Sequence, residues 1–109
     1  PLVTPPFGVE RLQWDTEKNQ WYSVWTRSDV SSISMIPAIS TASNMVFVNG
    51  YTEADGWEVT GLDWGTGATS HRVIFGQTSR GNGAYAIIQY MENGDLLFNS
   101  VGGPFRVKL

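Results

Sequence analysis

The chain has 109 residues, enough for one small domain with a modest hydrophobic core. Seven Lys and Arg stand against ten Asp and Glu, and the basic residues are scattered singly, so nucleic acid is not expected as a partner. The absence of Cys excludes disulfides and thiolate metal sites, and no apolar run approaches the roughly 18 residues that cross a bilayer, so no membrane partner is expected either.

Residues 1–7 precede the first predicted strand and are expected to form an N-terminal arm. The chain opens on Pro rather than Met, from which we expect that it was excised from a longer protein. The remaining residues, 8–109, show apolar and polar residues alternating over short stretches, which is the period of a half-buried strand. No window shows a sustained period near 3.6 residues, so the sequence predicts an all-β protein.

Nine strands are predicted, each bounded by Gly, Asn, Asp, Ser or Thr. They cover residues 8–14, 20–26, 34–40, 45–50, 56–64, 70–76, 84–90, 95–101 and 105–109. The pair Asn93-Gly94 tolerates positive φ and is a strong hairpin signal between two of them. Strands joined in this way form an antiparallel meander.

The chain also aligns with itself at a shift of about 50 residues. Residues 12–16, Leu-Gln-Trp-Asp-Thr, fall on residues 62–66, Leu-Asp-Trp-Gly-Thr, and residues 44–48 fall on residues 95–99 with Phe over Phe. A period of this length that contains four short strands is typical of a β-propeller blade. With the strands of a blade labelled a to d from the inside outward, the chain would supply two, then four, then three strands, or about two blades.

The segment 59–71 resembles the PQQ-like quinoprotein repeat. In that family a strand ends in Asp, Thr-Gly follows after two residues, and a Trp comes five positions after the Thr. The matching residues here are Leu62, Asp63, Thr66 and Gly67, with His71 at the Trp position. In the earlier copy Trp21 follows Thr16 by five positions. The resemblance implies that Trp21 lies flat between neighbouring blades and that His71 packs in place of the ring.

In such a meander the d-to-a and b-to-c loops lie on one face, where propellers usually bind ligands. The residues that this arrangement predicts for ligand binding are Arg27, Asp29, Tyr51, Glu53, Asp55, Arg80 and Asn82. Arg27 and Arg80 lie about one period apart, so they are expected to occupy matching loops and to bind an anion or carboxylate together. The alternative is that both are solvated loop residues.

Glu53 and Asp55 are candidates for Ca²⁺ ligands, because hard oxygen donors in a turn suit that ion. They lack the dense spacing of a calcium loop, so a solvated hairpin is the alternative, and no other cofactor is expected. His71 is the sole histidine, which excludes any metal cluster that needs two imidazoles.

Three functions remain open from the sequence. The first is a non-catalytic propeller segment that serves as a structural and ligand-binding or protein-binding module. The second is a piece of a propeller enzyme, an oxidoreductase or transferase, whose catalytic residues lie elsewhere. The third is a free-standing β-sandwich that binds carbohydrate through exposed Trp side chains, namely Trp14, Trp25, Trp57 and Trp64.

No nucleophile elbow or phosphate loop is present in the sequence, so an enzyme is disfavoured for this chain alone. A partial propeller has open sheet edges. Self-association, with about three copies closing a ring of six blades, or pairing with missing blades is therefore expected.

Overall fold

The computed structural model describes residues 8–33 and 35–109. The predicted arm at residues 1–7 and the first residue of the third predicted strand lie outside the described residues. In the described part of the chain nine strands form, with a single 3₁₀ turn, η1, at Ser79–Gly81. The strands are β1 Val9–Asp15, β2 Gln20–Arg27, β3 Ala38–Ser40, β4 Met45–Thr52, β5 Gly56–Asp63, β6 Thr69–Gly76, β7 Gln89–Tyr90, β8 Leu96–Ser100 and β9 Gly103–Val107.

The strands divide into three antiparallel sheets in chain order. The first sheet contains β1 and β2, the second contains β3 to β6, and the third contains β7 to β9. Each sheet is a meander, because neighbours in the sheet are neighbours in the sequence. The prediction of an all-β protein built from antiparallel meanders is confirmed, and the division into two, four and three strands is the one expected from the sequence.

The hydrophobic core lies between the second and third sheets. Met45, Phe47 and Val59 from the second sheet form a buried cluster with Leu96 and Phe98 from the third. Because side chains alternate along a strand, Val46 and Val48 point to the opposite face of the second sheet, where they are also buried. The second sheet is therefore covered on both faces, as a central layer must be.

The first strands of the second and third sheets are much shorter than predicted. β3 has three residues and β7 has two, although seven were expected for each. Before β7 the backbone of Ala84 and Tyr85 has positive φ, which ends regular pairing. The two inner segments still meet, through an isolated parallel bridge between Ile36 and Ile87.

The predicted alignment of Phe47 with Phe98 is wrong by one residue. Both side chains are buried in the same cluster, but they enter it from facing sheets. The positive-φ turn residues Asn44 and Gly94 mark the corresponding positions of the two strands. A shift of one residue moves every side chain of a strand to the other face, so an alignment on these turns would place Phe98 on Val48 and not on Phe47.

The predicted alignment of the β1–β2 and β5–β6 hairpins is wrong by two residues. Asp15 Oδ1 accepts the backbone N–H groups two and three residues ahead, and Asp63 Oδ1 does the same in the later hairpin. The positive-φ residue four places on is Asn19 in the first turn and Gly67 in the second. An alignment of the two hairpins on these turns would place Asp15 on Asp63 and would not place Thr16 on Thr66.

Candidate ligand-binding cavity between the first and second sheets

The first sheet is attached to the second through Trp25. Its indole Nε1 donates to the backbone oxygen of Trp64 at 2.8 Å, and its ring lies against Gly67 so closely that a methyl group there would be 2.6 Å from Cδ2 of the ring. Arg11 adds to this junction, with its guanidinium 4.5 Å from the centre of the Trp64 ring and Nη1 donating to the same backbone oxygen. The β5–β6 turn is thereby held against the first sheet.

The predicted docking residue, Trp21, is not in this junction. Its side chain is 62% exposed and packs edge-on against Trp14 on the outward face of the first sheet. Trp21 and Trp14 are opposite each other in the β1–β2 register, whereas Trp25 is opposite Arg11 on the inward face. A bulge at Val24, between the pairs Leu12–Ser23 and Arg11–Trp25, re-aims the strand so that Trp25 points inward.

Next to this junction lies a polar cavity of about 340 Å³. It opens between the end of β2, the segment after β2, and the middle of the second sheet. Residues that contribute polar groups to its wall are Arg27, Asp29, Thr60, Thr69, Glu58 and Arg72. The volume is at the lower end of that of small-molecule sites.

Arg27 and Asp29 form a two-point ion pair at one wall. Arg27 Nε donates to Oδ1 at 2.9 Å and Nη2 donates to Oδ2 at 2.8 Å, while Nη1 donates to the Gly67 backbone oxygen and to Thr69 Oγ1. The hydrogen bonds from Arg27 lower the pKa of Asp29 to about 2. The same bonds raise the pKa of Arg27 above its usual value.

Arg72 and Glu58 form the opposite wall. Arg72 Nε donates to Oε2 of Glu58 at 2.7 Å, and Nη2 is shared between Oε1 of Glu58 and Oδ2 of Asp55. The Glu58 side chain is only 8% exposed, and burial raises its pKa. Hydrogen bonds from Arg72 and Thr60, with the charge of Arg72, outweigh that effect, so the pKa of Glu58 falls below its usual value.

Arg72 keeps part of its guanidinium available. Among the described residues, no acceptor bonds its Nη1, whereas Nε and Nη2 are both occupied. The hydrogen bonds that Arg72 donates to Glu58 and Asp55 raise the pKa of Arg72, so it stays charged across the whole working pH range. Arg72, a lining residue, therefore has N–H donors on Nη1 that no other described residue occupies.

The structure brings three of the predicted site residues into this cavity, namely Arg27, Asp29 and Tyr51. Asp55 is joined to it through Arg72. Glu53 is outside the cavity lining, and its backbone oxygen accepts a hydrogen bond from the Gln77 side chain at 2.8 Å.

Arg80 and Asn82 lie elsewhere, at the η1 turn. The Arg80 stem lies against Gly102, and the Asn82 side-chain oxygen accepts from the backbone N–H of Ala84. Arg27 ends a strand, whereas Arg80 lies in η1, so the two do not occupy matching loops and do not share one site.

Sequence reasoning missed the residues that form the floor of the cavity. Glu58 and Thr60 lie inside β5, and Arg72 lies inside β6. The sequence-based prediction of ligand-binding residues considered loops alone. The available signal was alternation, because Glu58 and Thr60 share a face with Leu62 and are polar where that face should be buried.

The described residues contain no group of three or more His, Asp or Glu side chains that could hold a metal ion. Asp55, one of the two candidate Ca²⁺ ligands, is paired with Arg72 at 2.8 Å. A Ca²⁺ site at Glu53 and Asp55 stays a prediction.

His71 does not have the packing role that the resemblance implied. It is exposed and borders a second cavity of about 690 Å³ between the second and third sheets, near Tyr90 and Met91.

Of the four Trp side chains named for a sugar platform, only Trp14 is exposed. Its exposed neighbour Trp21 is inclined to it at 73°, so the two rings do not form one flat surface. Trp57 is partly buried and packs against Tyr51 with ring centres 5.2 Å apart. The arrangement on which a free-standing carbohydrate-binding sandwich was predicted is not present.

Comparison with known proteins gives one distant relative. An uncharacterized protein of Archaeoglobus fulgidus is 28% identical over 102 residues, which are 94% of this chain and 20% of that protein. The chain thus spans about one fifth of the length of the curated relative that it matches. No protein-family model and no solved structure matches the chain. Among the described residues no helix has the length and apolar character to cross a membrane.

Proposed function

We propose that the chain is a segment of a β-propeller that acts as a structural and binding module without chemistry of its own. The observation that carries the proposal is the arrangement of the sheets: three antiparallel meanders follow one another in chain order, the first attached to the second through Trp25 and the second sharing a core with the third. Corresponding inner residues, Ile36 and Ile87, lie side by side and run parallel. Inner strands that follow a ring in one direction would meet in this way.

The junctions between sheets support the same proposal. The outer strand of the first sheet sends Trp25 onto the second, and the outer strand of the second sends Phe75 onto Phe98 and Phe105 of the third. Rings at such junctions contribute roughly 2 kcal/mol each by burial. The archaeal relative is long enough to hold several further segments of this size.

Two outer faces of the stack carry apolar side chains that no other described residue covers. On the first sheet the exposed apolar side chains are Leu12, Trp14 and Trp21. At the third-sheet end they are Tyr85, Ile87 and Val101. When the first two sheets are aligned on their turns, Trp14 corresponds to Leu62. Leu62 is fully buried on the face of the second sheet that the first sheet covers, so we expect another sheet of the same kind to cover Trp14. In the isolated chain a second copy would supply that sheet head to tail.

The test is the mass of the purified chain in solution, measured by light scattering after size exclusion. We expect a closed assembly of about three copies. Trp21→Ser should reduce the mass to that of one copy, whereas Tyr22→Ser, an exposed position on the opposite face of β2, should not. A wild-type chain that is monomeric and melts cooperatively would contradict the proposal.

A further inference from the structure

The cavity between the first and second sheets carries an inference about its ligand. Its lining combines positive and negative groups in nearly equal number, and each guanidinium is already neutralised by a carboxylate. Arg27 is paired with Asp29, and Arg72 with Glu58 and Asp55. The two guanidinium groups and two carboxylates of the lining sum to zero, and Asp55, which is outside the lining, adds one negative charge, so an anion gains no net attraction.

A cation fits no better. The carboxylate oxygens of Glu58 accept three hydrogen bonds, from Arg72 Nε, Arg72 Nη2 and Thr60 Oγ1. Asp29 is bound at both oxygens by Arg27. A metal ion would have to displace these donors and remain beside two guanidinium groups, which Coulomb repulsion opposes.

A neutral hydroxyl group fits the unused hydrogen-bonding positions. Arg72 Nη1 has N–H donors without an acceptor among the described residues, and Thr69 Oγ1, which accepts from Arg27 Nη1, still has its own proton to donate. Each oxygen of Asp29 accepts one bond and can accept another. A hydroxyl donates and accepts at once, so adjacent hydroxyls can bridge the guanidinium and the carboxylate.

The fixed positions of these groups also limit the ligand. Tyr51 borders the cavity, but it pairs with Trp57 on the face of the second sheet opposite to Glu58 and Thr60, and its ring packs against Trp57. The wall that a ligand would meet is therefore polar. Fixed donors and acceptors in about 340 Å³ suit a small molecule that carries several hydroxyl groups.

We propose that this cavity binds a neutral saccharide, with Arg72 and Thr69 donating to its hydroxyls and Asp29 accepting from them. The inference specifies the ligand class of the binding module and rests on that proposed function. The site differs from the exposed Trp platform considered from the sequence, because its residues come from strands β2, β5 and β6 and from the segment after β2.

The experiment is a calorimetric titration of the intact chain with D-glucose, D-galactose and D-mannose, and with the matching uronates and CaCl₂. We expect saturable binding of at least one neutral sugar with a dissociation constant of about 1 mM or tighter. Its uronate should bind at least about fivefold more weakly because of the added charge. Absence of saturation with all three neutral sugars, or tighter binding of a uronate or of Ca²⁺, would overturn the proposal.

Two variants locate the site. Thr69→Val should weaken sugar binding about tenfold by removing one hydroxyl, while Thr78→Val, at an exposed threonine whose side chain caps nothing at η1, should leave it unchanged. Arg72→Lys keeps the positive charge but removes the planar guanidinium and its paired N–H donors, and should abolish detectable binding of the sugar. If Arg72→Lys lowers the melting temperature too far for titration, Thr69→Val decides, and unchanged binding in it overturns the assignment.

The solution mass of each sample separates this proposal from the propeller proposal. A monomeric chain that binds sugar contradicts the assembly and supports the cavity assignment. An assembled chain that binds no neutral sugar contradicts the cavity assignment alone.

Discussion

Gly67 shows how one residue links a turn to the packing of two sheets. Its φ of +77° favours glycine, and Trp25 occupies the space that any side chain would need. Asn19, in the first Asp-capped turn, adopts a similar φ of 55° with an exposed side chain. The requirement for glycine at position 67 therefore comes from both the backbone and the neighbouring ring.

We expect Gly67→Ala to lower the free energy of unfolding by about 2 to 3 kcal/mol, from backbone strain and displacement of Trp25. Gly94→Ala is the control, since its φ is +91° and a methyl group there would meet no atom within 4 Å. It should cost only about 1 kcal/mol. Urea denaturation of both variants gives the comparison, and equal losses would show that the Trp25 contact contributes nothing.

The pKa of Asp29 predicts a response to acid. Because the folded-state pKa, about 2, lies below the ordinary value, the Arg27–Asp29 pair stabilises the fold above roughly pH 4, and this is lost as the pH falls toward 2. The side chain is 68% exposed, so solvent screening keeps the effect below about 1 kcal/mol. Asp29→Asn should therefore flatten the dependence of stability on pH between 4 and 2. Parallel profiles for wild type and variant would contradict this.

The pair at the opposite wall should respond to acid in the same direction. Glu58 is buried and its pKa is lowered, so its stabilisation is present above roughly pH 4.3 and declines as the pH falls through the lowered value. Glu58→Gln keeps the shape but removes the charge, and should cost about 1 to 3 kcal/mol at pH 7. Thermal melts across pH test this, and a variant as stable as wild type at neutral pH would contradict it.

At the scale of elements, the two Asp-capped turns form a natural comparison. Asp63 Oδ1 accepts from the backbone of Gly65 and from both the backbone and the hydroxyl of Thr66, whereas Asp15 Oδ1 accepts two backbone bonds. Asp63→Ala should cost about 1 to 2 kcal/mol, and Asp15→Ala less. Chemical denaturation of the two variants compares their losses of unfolding free energy. A larger loss for Asp15→Ala would contradict the role of the second turn in holding Trp25.

The strands were predictable because apolar alternation is a local property of each stretch. Their faces were not, because a bulge or one extra turn residue changes which side a residue points to. The bulge at Val24 places Trp25 inward and leaves Trp21 outside, and no sequence period records that displacement. β7 is short because Ala84 and Tyr85 have positive φ, and neither residue type predicts that backbone conformation.

The site was predicted in part for a related reason. Arg27, Asp29 and Tyr51 were found because chain topology places loop ends together. Glu58 and Arg72 were missed because a charged residue inside a strand reads as solvent-facing until a neighbouring sheet is known to cover it. Arg80 was included because it falls in a predicted loop about one period after Arg27, but it lies in η1 and outside the cavity lining.

Over the whole molecule, stability should decline from the central layer toward the first sheet. The second sheet is covered on both faces, whereas the first has two strands and one exposed apolar face. An isolated hairpin is marginally stable in water, so hydrogen exchange of β1 and β2 amides in dilute monomeric samples should be faster than that of β4 and β5. Equal protection of all four strands would contradict this ordering.

The bulges in the two hairpins lie at different distances from their turns, at Val24 in β2 and at Ser70 in β6. Both hairpins nevertheless regain the same pairing beyond the bulge, so Trp25 and Val73 occupy corresponding inward positions. A surplus residue at either position is therefore accommodated in a bulge of the outer strand, and the side chain that the strand presents to the neighbouring layer keeps its place.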